Sequence, residues 1–301
     1  MRAGSMFKAH PRRIPDPNGR AMSQGGTKRK GRPSIRHFLE MKRREQPIVA
    51  MTAYDVQFAR LLEEGGVDLI LVGDSLGQVV LGHDSTIPVT VEDMIHHAQA
   101  VTRGAGNTFV VVDMPFLSYQ VSTEEALRNA GRILKKAGVQ AVKLEGGDAR
   151  TCETVRALVT AGIPVMGHLG LTPQSVHALG GYRVQGRTEE DAARLRREAR
   201  ALEEAGVFGI VLELLPADLA EEISTSLTVP TIGIGAGPGC DGQVLVVYDA
   251  LGFNPDFTPR FLKRFAELHE AALDGVRRYA EEVRGGSYPD QDHSFPSIDP
   301  T

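Results

Sequence analysis

The hydrophobic pattern of the chain is a series of short apolar runs separated by longer segments of helical length. Each run spans four or five residues and is continuously apolar rather than alternating. Continuous runs with helices between them are typical of parallel strands that are buried on both faces. We predict eight such strands, at residues 48–52, 68–72, 109–112, 141–144, 164–167, 209–212, 231–234 and 243–247.

The segments between the strands carry helix signals. Thr90 is a predicted N-cap, and either Ser122 or Thr123 caps the next helix, with Glu125 near the capping-box position. The alternation predicts one (β/α)8 TIM barrel. We predict helices over residues 34–45, 55–64, 90–103, from 122, 149–161, 189–205, 217–227 and 259–284. The predicted organisation is a disordered basic tail (1–33), the barrel with its N-terminal and C-terminal helices (34–284) and a loose C-terminal tail (285–301).

Charged residues follow several of the predicted strands. Asp74 and Asp113 come at the ends of the second and third strands, Lys143 and Glu145 at the fourth, and Glu213 at the sixth. The carboxyl ends of barrel strands converge on one mouth, where the chemistry of such barrels takes place. A single acid at a strand end can instead cap the next helix, and this alternative holds for Asp74 or Asp113 taken alone. Four acids in this position are harder to explain by capping, so we predict one site.

The residue types limit the chemistry of this site. Carboxylates without a nearby Cys or His cluster suit Mg²⁺ or Mn²⁺ rather than zinc. His168, at the end of the fifth strand, is open to three interpretations: a ligand, a hydrogen-bond donor or a structural histidine. The glycine-rich segment 233–239 is either an anion-binding loop or a tight turn, and Pro238 disfavours a dinucleotide loop.

Composition and charge exclude several classes of protein. No apolar run approaches the roughly 20 residues of a membrane span. Residues 1–35 carry nine Lys/Arg and one Asp, a net charge of +8. The net charge of the whole chain is −4, so residues 36–301 have a net charge of −12. An acidic body is not expected to bind nucleic acid, and the basic tail is interpreted as solvated. Two cysteines without metal-type spacing and no signal segment predict a cytoplasmic location.

Eight motifs together carry a resemblance to a known family. They stand at 51–55 (MTAYD), 72–77 (VGDSLG), 82–86 (GHDST), 143–147 (KLEGG), 167–175 (GHLGLTPQS), 181–187 (GYRVQGR), 233–237 (GIGAG) and 241–243 (DGQ). From about Ser34 to Phe295 the sequence resembles the ketopantoate hydroxymethyltransferase (3-methyl-2-oxobutanoate hydroxymethyltransferase) family. The basic tail lies outside the resemblance.

The resemblance implies a TIM barrel of the phosphoenolpyruvate mutase/isocitrate lyase type. It implies transfer of a one-carbon unit from 5,10-methylenetetrahydrofolate to 3-methyl-2-oxobutanoate, which gives 2-dehydropantoate for pantothenate biosynthesis. It further implies that Asp74, Asp113 and Glu145 form a Mg²⁺ site, and that Glu213 is the proton acceptor. The keto acid is expected to contact Asp74, Ser75, Asp113 and Lys143. The family also implies a homo-oligomer, and we expect a homodecamer.

The implied chemistry is metal-assisted enolisation of the keto acid, with Glu213 as general base and Lys143 paired with the substrate carboxylate. Three other interpretations stay open. Lys143 could form a Schiff base in a metal-free aldolase. A Mg²⁺-dependent lyase or aldolase acting on a 2-oxo acid would share barrel and metal, although the cysteine-bearing loop of isocitrate lyase is absent. A binding module without turnover would keep only the pocket.

Overall fold

Eight parallel strands form a closed barrel in the computed structural model, which describes residues 33–295. The strands are β1 (Ile48–Thr52), β2 (Leu69–Val72), β3 (Phe109–Asp113), β4 (Ala141–Lys143), β5 (Val165–Gly170), β6 (Gly209–Glu213), β7 (Thr231–Ile234) and β8 (Gly242–Leu245). Each pairs with its successor in the chain, and β8 pairs with β1. The predicted TIM barrel is confirmed.

The helices cover the outside of the barrel and one of its ends. They are α1 (Ile35–Arg43), α2 (Val56–Glu64), α3 (Leu76–Val79), α4 (Val91–Gly104), α5 (Thr123–Ala137), α6 (Ala149–Thr160), α7 (Val176–Leu179), α8 (Glu189–Ala205), α9 (Ala217–Ser226), α10 (Val247–Ala250) and α11 (Leu268–Gly285). Thr90 caps α4 in a full capping box, and Ser122 accepts from the backbone N–H of Glu125 at the start of α5. Both predicted caps are therefore confirmed.

The strands divide their side chains between two buried layers. In β3, Phe109 and Val111 belong to the cluster inside the barrel, whereas Val110 and Val112 belong to the cluster under the helices. This division follows from the two-residue period of a strand. Because the outer layer is also apolar, the strands are continuously apolar in sequence, as parallel strands covered by helices should be.

Helix α1 covers the N-terminal end of the barrel. Its Phe38 is buried and contacts Phe109, at the start of β3, with ring centroids 5.1 Å apart in an edge-to-face arrangement. Phe208, just before β6, completes an aromatic trio, 6.2 Å from Phe38 and 5.8 Å from Phe109. The bottom of the barrel is thus filled with hydrocarbon, which leaves the opposite end as its mouth.

The prediction of a terminal helix over 259–284 is wrong at its start, because α11 begins at Leu268. Several residues before Leu268 make hydrogen bonds to α10 and to the turn after it, rather than the regular hydrogen bonds of a helix. Phe265 N donates to Ala250 O at 2.8 Å, and the Arg264 guanidinium donates to Pro255 O at 2.7 Å. Strand β5 is also longer than predicted and runs to Gly170, which carries His168 into the barrel interior.

The predicted basic tail (1–33) lies outside the described residues, apart from Pro33. Within residues 33–295, none of the helices combines the length and apolar character that crossing a bilayer requires.

Candidate active site

The charged residues predicted at the strand ends do meet at the mouth of the barrel. Asp74 follows β2, Asp113 ends β3, Lys143 ends β4, Glu145 follows it and Glu213 ends β6. The first four are 3–6% exposed, and the Glu213 side chain is 19% exposed. Burial of so many charges is costly unless they pair or bind a ligand, so their contacts define what this cluster can do.

Asp113 links the two neighbouring strand ends. It stands in register with Lys143, and its Oδ1 lies 2.9 Å from Lys143 Nζ. Its Oδ2 accepts the backbone N–H of Asp74 at 3.0 Å. Burial lowers the pKa of Lys143. The carboxylates of Asp113, Glu145 and Asp74 raise this pKa by a larger amount, so the net shift is upward. The ion pair with Asp113 and the upward shift of the pKa together favour the charged form of Lys143.

His168 bridges two carboxylates across the interior. Its Nδ1 lies 3.5 Å from Glu145 Oε1, and its Nε2 lies 3.2 Å from Glu213 Oε2. Burial and Lys143, whose Nζ lies 3.1 Å from Nδ1, lower the pKa of His168. Glu145 and Glu213 outweigh them and raise it to about 9. Within residues 33–295 Nε2 makes no hydrogen bond, and the hydrogen bond of Nδ1 is with Lys143 Nζ, so the two carboxylates are ion-pair contacts and the three interpretations of His168 stay open.

Glu213 stands at a sharp change of backbone direction. The next residue, Leu214, has a φ of 48°, which is unusual for a residue with a side chain. Two hydrogen bonds hold Leu214 there: its N–H donates to Ile234 O at 2.9 Å, and its carbonyl accepts from Gln185 N at 2.9 Å. Such conformations persist where the surroundings over-determine them, so the position of Glu213 is fixed by its neighbours.

Gln174 is a buried residue of this site to which the sequence assigned no role. Its Nε2 donates to Asp74 Oδ2 at 2.8 Å and to Met114 O at 2.9 Å, while its backbone N–H donates to Glu145 Oε2 at 3.0 Å. Its Oε1 accepts from Tyr119 OH at 2.9 Å. Gln174 thus holds two of the acids, Asp74 through its side-chain amide and Glu145 through its backbone N–H. The only sequence signal was its place in the motif at 167–175.

Ser75 and the glycine-rich segment 233–239 differ in their surroundings. Ser75 lies at the mouth, where its Oγ is 2.8 Å from Tyr54 OH. By contrast, a Cβ added at Gly237 would meet Ala217 Cβ at 2.4 Å, and one at Gly239 would meet Glu221 Cβ at 2.5 Å. The segment packs tightly on α9, which favours the tight-turn interpretation over an anion site.

The charge balance of the mouth is suited to a divalent cation. Asp74, Asp113 and Glu145 are buried together with Lys143, and burial followed by Asp113 and Glu145 raises the pKa of Asp74 well above its ordinary value. Within residues 33–295 no three His, Cys, Asp or Glu side chains are already grouped as a complete metal cage. Mg²⁺ commonly binds through one or two carboxylates, with water and substrate completing its coordination. The donor set therefore fits Mg²⁺ and does not fit a metal held by protein alone.

Comparison with known proteins shows which family of proteins this chain is similar to. Residues 32–291 match the family model described as ketopantoate hydroxymethyltransferase. The chain is 56% identical to the 3-methyl-2-oxobutanoate hydroxymethyltransferase of Syntrophus aciditrophicus over 255 residues, which cover 85% of this chain and 93% of that protein. It is 55% identical to the protein of the same name from Moorella thermoacetica over 266 residues, 88% and 98% of the two chains.

Solved structures with a similar fold are much more distant in sequence. A phosphonopyruvate hydrolase in complex with oxalate and Mg²⁺ aligns with a TM-score of 0.56 at 14% identity, covering 88% of this chain and 92% of the other. A 2,3-dimethylmalate lyase, described as a PEP mutase/isocitrate lyase superfamily member, aligns with a TM-score of 0.54 at 19% identity, covering 87% and 92%. At these identities the likeness concerns the fold alone, and it agrees with the predicted TIM barrel.

Proposed function

Because the chain belongs to the ketopantoate hydroxymethyltransferase family, we propose that the charged cluster at the barrel mouth carries out hydroxymethyl transfer to 3-methyl-2-oxobutanoate. A hydroxymethyltransferase needs a one-carbon donor, and the donor proposed here is 5,10-methylenetetrahydrofolate. The product is 2-dehydropantoate, a precursor in pantothenate biosynthesis. The observation that carries the residue roles is the convergence of three buried acids and a buried lysine at one end of the barrel.

We propose that Asp74 and Asp113 hold Mg²⁺, with Glu145 beside them. When bound, such an ion draws electron density from a ketone oxygen and makes the neighbouring C–H more acidic. Lys143 supplies a positive charge for the substrate carboxylate, and its ion pair with Asp113 holds the ammonium beside the acids. Gln174 keeps Asp74 and Glu145 in fixed orientations through its hydrogen bonds.

Glu213 is the proposed general base for the C3 proton of the keto acid. It is the most exposed acid of the cluster, so a substrate can reach it from the mouth. His168 lies 3.2 Å from its Oε2 on the interior side and fixes its position. Glu213 takes the C3 proton. The two bonds from the methylene carbon to the donor nitrogens break as that carbon bonds to C3 and to a water oxygen, and the C3 proton and one proton of the water end on those nitrogens, which leaves tetrahydrofolate. General-base catalysis of this kind typically contributes a factor of about 10² to 10⁴.

The alternative of a Schiff base at Lys143 is disfavoured by its surroundings. A nucleophilic amine must be unprotonated, and this is usually achieved by desolvation or by a neighbouring cation. Lys143 instead lies 2.9 Å from Asp113, and three carboxylates raise its pKa. The amine is thereby held in its charged form, which cannot attack a carbonyl. Trapping with borohydride in the presence of keto acid should leave the protein unmodified.

Solvent exchange tests the proposed roles without the donor. Enzyme, keto acid and Mg²⁺ in deuterium oxide should exchange the C3 proton, as followed by proton NMR, and a chelator should stop the exchange. Product formation should then require the folate. Exchange that continues at the same rate with chelator would refute the metal site, and absence of both exchange and turnover would refute the proposed function. A non-catalytic binding module gives neither signal.

A further inference from the structure

The segment between β5 and α8 crosses the mouth of the barrel. At its start Leu171 N donates to Glu213 O at 2.8 Å, and near its end Gln185 N donates to Leu214 O at 2.9 Å, so both ends are tied to β6. In its middle, the Tyr182 hydroxyl accepts a hydrogen bond from Gln78 Nε2 at 3.3 Å. Gln78 lies on α3, directly after β2. Strands β2 and β6 are four places apart in a closed barrel of eight, so the two sides joined by this contact are opposite.

Tyr182 therefore lies above the charged cluster with much of its ring free. The residue is 52% exposed. Partial burial raises the pKa of Tyr182, as do the carboxylates of Glu213, Asp74 and Glu145, which lie within electrostatic reach. An aromatic ring in this position presents a flat surface to a molecule entering the mouth. The keto acid is too small to cover that surface while its oxygens reach the acids below.

Other exposed apolar side chains stand on the loops after β2 and β3, two neighbouring strands, and so lie on one side of the same opening. They are 39–52% exposed: Val80, Leu81, Leu117 and Val121. Leu117 has a φ of 62°, so the backbone adopts an unfavourable conformation beside this surface. These four side chains are called the apolar rim. An apolar rim beside a polar interior favours a ligand with a flat apolar part, which contacts the rim, and a reactive group, which reaches the acids.

We propose that Tyr182, oriented by Gln78, is the stacking surface for the bicyclic pteridine ring of the one-carbon donor, with the apolar rim receiving the rest of its ring system. This inference rests on the proposed function, since it assigns a binding surface to the donor of that reaction. Stacking of an aromatic side chain on a flat heterocycle depends little on the substituents of the ring, and it contributes about 5- to 150-fold in affinity.

Three variants test the role of Tyr182. Tyr182→Ala removes the ring, Tyr182→Phe keeps the ring and removes only the hydroxyl, and His177→Ala removes another exposed ring from the same segment. In Tyr182→Ala the KM for methylenetetrahydrofolate and the Kd for tetrahydrofolate, measured by fluorescence titration, should rise about 10-fold or more. The KM for the keto acid and the donor-free exchange of its C3 proton should stay within about twofold of wild type. Tyr182→Phe should change the donor constants by less than about threefold, and His177→Ala should leave them unchanged.

Several outcomes would overturn this inference. A donor KM and tetrahydrofolate Kd that are unchanged in Tyr182→Ala would show that the ring does not receive the donor. Loss of donor-free exchange to the same extent as turnover would make Tyr182 part of the keto acid site instead. A change of molecular mass in light scattering would identify the rim as a contact between copies of the chain. In each case the wild-type protein would still exchange and turn over, so failure of this inference is distinct from failure of the proposed function.

Discussion

The two ends of the barrel interior are built from the same strands and yet have opposite properties. In β3 the inward residues are Phe109, Val111 and then Asp113, so one strand begins in hydrocarbon and ends in a carboxylate. In β4 the sequence runs from Ala141 to Lys143. Every second residue is inward in both cases, so the difference between the ends comes from residue type at a fixed spacing and not from backbone geometry.

The difference in residue type between the two ends indicates which end stabilises the fold. Burial of aromatic and aliphatic side chains at the bottom contributes favourable free energy, at about 25 cal/mol per Å² of apolar surface. Buried charges at the mouth cost free energy even when they are paired. We therefore expect substitutions at the mouth to abolish turnover with little loss of stability, and substitutions at the bottom to do the reverse.

The largest expected effect is that of Glu213→Gln at the mouth. The amide keeps the size of the side chain and its hydrogen bonding but cannot accept a proton. Turnover and donor-free exchange should fall together by about two to four orders of magnitude, while the unfolding midpoint in urea should fall less than in Phe38→Ala, since only the contact with His168 is weakened. Exchange at the wild-type rate would assign the proton to another group. Glu221→Gln, on the exposed face of α9, is the matched control and should leave both rates unchanged.

Next in size is Phe38→Ala at the bottom. Loss of a buried phenylalanine in contact with two other rings should lower the free energy of unfolding by about 3–5 kcal/mol. The folded fraction should keep the wild-type kcat, because α1 makes no contact with the acids at the mouth among its described interactions. Urea unfolding and steady-state kinetics measure the two quantities. The exposed Phe265→Ala serves as control and should cost little. A fall in kcat that matches the loss of stability would contradict the division between the two ends.

A smaller effect is expected for Gln174→Leu, which has nearly the same volume. The variant loses the hydrogen bonds to Asp74 and Met114 and leaves those acceptors buried. Loss of a residue that orients metal ligands commonly weakens metal affinity by about 10- to 100-fold. Titration calorimetry should show this change for Mg²⁺, whereas Gln120→Ala should show much less, because Gln120 reaches the acids only through Gln174. Equal Mg²⁺ affinity in the variant and wild type would show that the amide serves the fold alone.

The smallest effect concerns Asp249, a buried acid on α10 outside the charged cluster. Its Oδ1 makes no hydrogen bond within residues 33–295, and burial raises its pKa to about 6, against a weaker lowering by Arg264. The folded protein therefore binds this proton more tightly than the unfolded chain, whose Asp titrates near 3.9. The resulting stability is fully present below about pH 4 and is lost as pH rises through about 6.

Asp249→Asn should therefore stabilise the protein by about 1–2 kcal/mol at pH 8, allowing for partial solvent screening, and by almost nothing at pH 4. Urea unfolding at the two pH values measures the difference. The exposed Asp256→Asn is the control and should give the same small change at both. An equal gain at both pH values for Asp249→Asn would mean that packing, and not charge, is responsible.

The strands and the acids at their ends could be predicted because both depend on local pattern. An apolar run of strand length that ends in Asp113 or Glu213 places that residue at the mouth once the barrel is recognised. Gln174 could not be assigned in this way. Its role depends on how the loop after β5 folds back over residues that lie up to 100 positions away. The contacts of His168 could not be predicted for the same reason, since its distances to Glu145 and Glu213 depend on how three strands lie in the barrel.

The error at residues 259–267 has a different cause. The segment has apolar residues at spacings compatible with a helix, but its backbone groups bond to α10 and the following turn. The hydrophobic periodicity of a segment indicates which of its sides is apolar. It does not indicate which carbonyl groups accept hydrogen bonds from its backbone N–H groups. Long-range hydrogen bonds such as Phe265 N to Ala250 O override the local preference.

The covering of the barrel bottom by α1 has a consequence for the order of events in a turnover. With Phe38 and its two aromatic neighbours filling one end, the two reactants and the two products share a single route in and out. With the donor covering the keto acid as proposed above, the small acid enters before the donor, and the spent donor leaves before the hydroxymethylated product. We therefore expect a compulsory order of substrate binding and product release. In steady-state terms, the keto acid should be the leading substrate and tetrahydrofolate the first product released.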